Sequence, residues 1–582
     1  MLRMLPNLPR LLAGALLLLG IAQPALAGVF CVNTAVGLQN SLTTAASNGV
    51  DDEVWIVQGT YVGNFVYASG QANQLSVLGG YTAGCAGRVL DPVNTILDGN
   101  QTNSTLVLSA PGVAADFLVE GLTLRNGQHP SGFAGYGGGL SVGVGRDGAV
   151  TVHRNRIENN LVGAYLSATT ATLTNNSIAG NTGSGASISA TSATLTNNSI
   201  AGNTVSGASI SATTATLTNN SISGNTASYN SYARDGAGGA NISATTATLT
   251  NNSISGNTAA SQGGGANISA TTATLTNNSI TGNTTSLLGG GASLSATTAT
   301  LTNNTLVGNT AVFSGGGAFI EGDNATLTNN SISGNTSSSG SGGGAFINAE
   351  HGTATLTNNT FVDNEGFDGG GLYLQTGTTE TTDSATLYNN LFWANWATRT
   401  GAAANLSINN DSDSDYVPTP VTLLANNFDQ SAAGFQSTLP ITLDPSNLDA
   451  EDPLFVDQVA GNLRPAPGSP MIDAGYPDTP NLPATDLDGG LRVVNGTVDM
   501  GAYEYHEYES CDVNTLTLDN EVMDSGGDNY SSEVGIDTNG TVIISSGADV
   551  VLTAPVIQLN PGFRVESGAQ LLIRAQSVTC PL

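Results

Sequence analysis

One phrase recurs through the middle of this chain and restricts its fold more than any other feature. Ala-Thr-Leu-Thr/Tyr-Asn-Asn occurs nine times, with its leucine at Leu173, Leu195, Leu217, Leu249, Leu275, Leu301, Leu327, Leu356 and Leu387. Copies lie 22 to 32 residues apart. Each copy holds two asparagines five apart, as in Asn176/Asn181, Asn198/Asn203 and Asn220/Asn225, and a divergent earlier copy around Val152 holds Asn155/Asn160. An apolar residue such as Ile178 or Ile200 stands between them. A Gly-Ala pair precedes the leucine at a fixed distance in most copies, as Ala186 precedes Leu195 and Ala266 precedes Leu275. The block from Gly-Ala to the second asparagine is therefore constant, and nearly all length variation falls after it. Self-similarity at such a period is the mark of a solenoid.

The local pattern inside the block has period two. In Ala171-Thr172-Leu173-Thr174 apolar residues alternate with threonine, as a half-buried strand requires. Ile178 and Ile188 mark two further short strands. Three short strands per repeat build one coil of a right-handed parallel β-helix, an all-β solenoid with leucine and isoleucine stacked inside. Asn176, Asn198, Asn220, Asn252, Asn278, Asn304, Asn330 and Asn359 then stack as a corner ladder, each amide bonding to its copies above and below. About fourteen coils rising ~4.8 Å each give a solenoid roughly 65–70 Å long. The strict retention of Leu and Ile argues against a disordered Ser/Thr/Asn/Gly tract.

Gly-Gly-Gly-Ala followed by Phe319-Ile320 or Phe346-Ile347, together with Phe361-Val362-Asp363-Asn364, resembles the repeats of polymorphic outer-membrane proteins. More broadly it resembles bacterial right-handed β-helix repeat proteins, over roughly residues 28–430. Leu38–Ala46 has helical apolar spacing, and a short helix there would cover the open first coil, as solenoids need. Asp51–Val57 and Gly59-Thr60-Tyr61 then open the strands, in a way similar to the entry segment of secreted β-helix proteins, polysaccharide lyases included.

The ends read differently. Arg3 and Arg10 precede the apolar run Leu11–Ala22, and Ala25-Leu26-Ala27 offers a small-x-small cleavage site. This is the pattern of a secretory signal peptide over 1–27. The apolar run is too short for a membrane anchor, and no transmembrane span is expected. Four cysteines fall in two pairs, Cys31 with Cys85 and Cys511 with Cys580, which suits disulfides in an oxidising compartment. Zinc is the alternative, with no supporting spacing. Past residue 400 acidic residues rise. Asp452-Pro453-Leu454-Phe455, Gly468–Gly475, Asp486-Leu487-Asp488-Gly489 and Val498–Glu504 resemble the bacterial domain called choice-of-anchor Q. Asn560–Ala569, among short strands, resembles the coat-hanger stack. The expected organisation is a signal peptide (1–27), a cap and first coils (28–149), regular repeats (150–430), a choice-of-anchor Q-like domain (431–510) and a stacked-strand module (511–582).

Charge narrows the function. The chain has 13 Lys+Arg against 44 Asp+Glu, a net charge of −31. Nucleic acid and anionic membrane need basic patches and are disfavoured as partners. Residues 161–320 carry only Arg234 and Asp235 as charges. Lyases on this kind of fold need acidic calcium ligands and a basic proton acceptor, and hydrolases need paired carboxylates. No such set fits that stretch. His153, Arg154, Arg156 and Glu158 cluster on one early coil and are the candidates for acid–base catalysis or anion binding, against a plain surface role. Asp363, Glu365 and Asp368, and separately Asp486 and Asp488, are the candidates for Ca2+, against solvated or structural use.

Two features point to binding. The longest inter-coil loop carries Tyr229, Tyr232, Arg234 and Asp235, and tyrosines beside a charge pair suit a sugar or protein surface. Outward threonines recur as Thr-x-Thr-x-Thr, for example Thr170/Thr172/Thr174 and Thr272/Thr274/Thr276. Stacked, they make a grid of ~4.8 by ~6.7 Å, the kind of surface with which β-solenoids order ice, although threonine also suits any exposed strand. The expectation is an exported, monomeric, non-catalytic protein at the cell surface or outside the cell, binding polysaccharide or another cell surface. A polysaccharide lyase or glycoside hydrolase using the divergent coils is the alternative, and ice binding the second.

Overall fold

The computed structural model describes residues 27–128, 138–228, 236–349, 352–376, 384–409 and 421–506, except 481 and 495, and beyond 506 the backbone of short strands only. The chain folds as a right-handed parallel β-helix. Three stacked sheets form its walls, one strand column of fifteen, one of seven, and a long column of 24 strand segments. Fourteen spacings of ~4.8 Å along the fifteen-stranded sheet give a length of about 67 Å. Parallel pairing continues through Phe435–Ser437, Ile441–Leu443 and Leu448–Asp449.

The repeat determines the wall. Six strands from Ala164–Thr174 to Ala292–Thr302 are each 11 residues long and pair in unbroken register, so Leu173, Leu195, Leu217, Leu249, Leu275 and Leu301 stack in the core at 0% exposure. Ile178, Ile200, Ile222, Ile254 and Ile280 stack likewise on the second wall. A one-residue slip would turn the leucines out and the threonines in, so alternation fixes the register.

The corners are held by two asparagine ladders. In one, Asn176 Nδ2 donates to Asn198 Oδ1 at 2.9 Å, Asn198 to Asn220 at 3.0 Å, and so on to Asn447. In the other, Asn181 donates to Asn203 at 2.9 Å, and the chain of bonds continues to Asn395. Each Oδ1 also accepts a backbone N–H, as from Asn252 N to Asn278 at 2.9 Å, and each Nδ2 also reaches a carbonyl, as Asn278 to Leu249 at 2.8 Å. Every polar atom of the amide is thus used, which is the condition for burying it.

The first coil is closed by the helix Ala35–Ala45, one turn earlier than the apolar spacing alone places it. The Thr34 side chain accepts from Gly37 N at 3.0 Å and caps it, and Leu38, Leu42 and Ala45 face the core. Cys31 and Cys85 form a disulfide across this end. Cys580 and the side chain of Cys511 lie outside the described residues. No helix among the described residues is long and apolar enough to cross a membrane.

Candidate functional site

After the last coil the chain turns back and docks on the flank of the solenoid. The docking surface is made by the first asparagine of each Asn-Asn pair. Asn329, Asn358 and Asn389 have φ near +55°, a left-handed conformation that Asn tolerates, and this aims their amides outward. Asn329 Nδ2 donates to Thr485 O at 2.8 Å, and Asn358 Nδ2 to Asp499 O at 2.8 Å. Asn389 donates to Tyr476 O at 3.0 Å while accepting from Tyr476 N at 2.8 Å. Thr328 and Thr357 are buried in the same region, whereas Thr174 to Thr302 in that column are half-buried. Met471 and Met500 pack on Leu391 and Ala425 as the apolar part of the contact.

The docked lobe, residues 450–506, is organised around buried charge. Arg492 is fully buried, its Nη2 donating to Asp499 O at 2.7 Å and lying 3.3 Å from Glu504 Oε2. Burial pushes the Glu504 carboxyl up to about 9 and the Asp499 carboxyl up to about 6, with Arg492 opposing both shifts. Asp486, also fully buried, accepts from Gly490 N at 2.6 Å and Glu504 N at 3.0 Å. The Asp-x-Asp-Gly motif thus supports the lobe's backbone.

At the edge of the lobe the outer asparagine column emerges, and there a cleft of about 520 Å³ opens. Asn277 and Asn303 form its floor, and Arg464, Thr485, Asp488 and Tyr503 its wall. The Arg464 guanidinium sits 5.1 Å from the Tyr503 ring centroid and donates twice to Asp488, at 2.6 and 2.5 Å. Asn303 Oδ1 is buried with no hydrogen-bond partner among the described residues. The exposed Asn277 amide, an aromatic ring and a fixed Arg–Asp pair are a set suited to binding a hydroxylated neutral molecule. Both carboxylates of its lining are engaged, Asp486 by backbone N–H groups and Asp488 by Arg464.

The structure distributes the other candidates. Arg156 pairs with Glu158 at 2.6 Å, while His153 lies 3.8 Å from Glu120, which pairs with Arg88 at 2.5 Å. Arg154 is exposed. His153 thus stands beside the Glu120–Arg88 pair, two residues not visible from the local sequence, and Arg156–Glu158 is a surface pair. Asp363, Glu365 and Asp368 are not brought together. Asp363 accepts from Gln458 at 2.8 Å, Asp368 pairs with Arg399 at 2.5 Å, and Glu365 is an exposed strand residue. No group of three or more metal-ligating side chains occurs among the described residues. Tyr229, Tyr232, Arg234 and Asp235 lie outside the described residues. Asn277 and Asn303 were within reach of sequence reasoning, since the doublet is as constant as the spacing of five. Tyr503 and Arg464 had no local signal, because the docking that sets them against Asn303 joins residues far apart in sequence.

A family model described as the right handed beta helix region matches residues 140–311 and, in a second placement, 229–412. No curated protein matches the chain. Among solved structures, the chain is similar to pectate lyase Pel9A at 13% identity and TM-score 0.30, covering 80% of this chain and 90% of that one. It is similar to the Agl-KA catalytic domain at 14% and 0.35, covering 70% and 65%, and to the PL6 family alginate lyase AlyGC at 13% and 0.31, covering 94% and 73%. Likeness at this level bears on neither substrate nor reaction.

Proposed function

We propose that this right-handed β-helix protein is exported and binds a neutral carbohydrate, free or on a cell surface, without transforming it. The observation that supports this reading is the cleft between the outer asparagine column and the docked lobe. Its amides, ring and paired charges can hold hydroxyl groups, and its two carboxylates are already engaged. The lobe at 450–506 is, in this reading, a choice-of-anchor Q-like unit that completes the site, and the strands beyond 506 are a coat-hanger-like module. Residues 1–27 direct export, and the protein acts as a monomer at the outer surface or beyond it. A glycan array probed with the full chain tests this. Binding of neutral glycans that is lost in Asn303→Ala and Arg464→Ala supports it. Binding that survives both substitutions removes the cleft from the account.

A second reading has its own observation. Thr172, Thr194, Thr216, Thr248, Thr274 and Thr300 pair coil to coil in unbroken register, with Thr174 to Thr302 in a parallel column. Such a regular hydroxyl array suits an ordered water lattice. Thermal hysteresis abolished by Thr248→Tyr would support ice binding, and its absence in the native protein would dismiss it.

A further inference from the structure

The first strand of the solenoid begins at a glycine with no room for a side chain. Gly28 opens the strand Gly28–Val32 and stands opposite Asp52 in its parallel pairing with Asp52–Val57. A Cβ on Gly28 would lie 2.3 Å from Asp52 Oδ1, so a larger residue would have to displace that carboxylate. A residue's backbone nitrogen is about 2.5 Å from its Cβ position, so Gly28 N lies within about 5 Å of Asp52 Oδ1. The same nitrogen donates to Asp51 O at 2.8 Å.

Asp52 is a buried acid with no cation beside it. It is 4% exposed and heads an inward row that continues in Val54 and Ile56. Its carboxylate accepts from Asn48 Nδ2 at 2.9 Å, and none of the ion pairs among the described residues includes it. Burial raises its pKa above the ordinary value, with the Asn48 bond opposing and the neighbouring Asp51 adding to the rise. A buried carboxylate calls for a paired positive charge. Processing would create one. The small-x-small site Ala25-Leu26-Ala27 ends immediately before Gly28, and Ala27 is exposed.

We propose that cleavage between Ala27 and Gly28 gives Asp52 its counter-ion: the new α-ammonium of Gly28 pairs with that carboxylate and pins the first strand. Water adds across the peptide bond under a peptidase that cuts after small-x-small. Ala27 leaves as a carboxylate, and the Gly28 nitrogen takes the proton. The ammonium keeps its bond to Asp51 O and has two further N–H groups for Asp52. An α-amine titrates at about 8, so it is charged at neutral pH. Cleavage one residue later would place the amine on Val29, which is 52% exposed. The pin acts three residues from the Cys31–Cys85 disulfide, which holds the same strand. The proposal rests on the export reading and is independent of what the protein binds.

The test uses the full chain exported from a bacterial host. Intact mass should give Gly28 as the first residue. Any other first residue would overturn the proposal, and a retained leader would overturn the export reading with it. The sequence holds no lysine, so an acetyl N-hydroxysuccinimide ester finds one amine, the α-amine. That amine should react about tenfold more slowly in the folded native chain than in Asp52→Asn, the scale of one pKa unit. Asn at 52 keeps the acceptor for Asn48. Acetylated native protein, which carries no substitution, should lose about tenfold of its amide-exchange protection in 29–32 and none in 164–302. Equal acylation rates in the two chains, with Gly28 first, would overturn the ion pair and leave the export reading standing. Unchanged protection after acetylation would overturn the pinning.

Discussion

The coils between Ala164 and Thr302 and the lobe between 450 and 506 bury polar groups by opposite means. The coils bury neutral amides whose every donor and acceptor is matched by the neighbouring coil. The lobe buries Asp486, Asp499, Glu504 and Arg492 in one small interior. A matched amide costs little to bury, whereas a carboxylate taken from water is costly even beside a cation. The coils therefore gain a scaffold that is stable at any moderate pH, and the lobe a docking that depends on protonation.

The sharpest way to break the comparison is to unmatch one amide. Asn278→Ala removes four hydrogen bonds and leaves Asn252 N buried without a partner. It should destabilise the adjoining coils by about 5 kcal/mol, read as lost hydrogen-exchange protection on both sides. Next is Arg492→Met, which strands the lobe's carboxyl groups and should loosen docking by about 3 kcal/mol, read as faster proteolysis within 450–506. The coils should be untouched.

The pH dependence is smaller and has a definite sign. Folding raises the Glu504 carboxyl from 4.5 to about 9 and the Asp499 carboxyl from 3.8 to about 6. A raised carboxyl pKa gives its full stabilising contribution below the unfolded value and loses it as pH rises through the folded value. Docking should therefore be firmest below about pH 4 and weaken in stages to about pH 9. Amide protection in 471–502, corrected for intrinsic exchange, should fall over that range while protection in 164–302 stays level. The smallest effect is expected for Asn277→Gly. The residue is exposed, and its φ of 55° suits glycine, so stability should change by less than about 0.5 kcal/mol. A large loss there would erase the distinction between inner and outer asparagines.

The solenoid was legible in the sequence because each coil repeats one local rule. Leu173 and Ile178 declare the two walls, and the pair Asn176/Asn181 declares both ladders. The length from about fourteen coils agrees with the stack of fifteen strands. The cap was legible from Leu38 and Leu42. The cleft was not, because it depends on a return of the chain that brings Thr485 to Asn329 and Tyr476 to Asn389, contacts with no periodic signature. The acidic motifs were visible, but a motif such as Asp486-Leu487-Asp488-Gly489 reads alike whether its oxygens face a cation or a backbone N–H.

The central claim is binding without turnover, and one measurement addresses it most directly. The full chain is incubated with the neutral polysaccharide it retains best on an array, and bound protein and polysaccharide chain length are followed together. The account predicts saturable binding, reduced by Asn303→Ala, with chain length unchanged. Progressive shortening of the polysaccharide, or the appearance of new reducing or unsaturated ends, would contradict it.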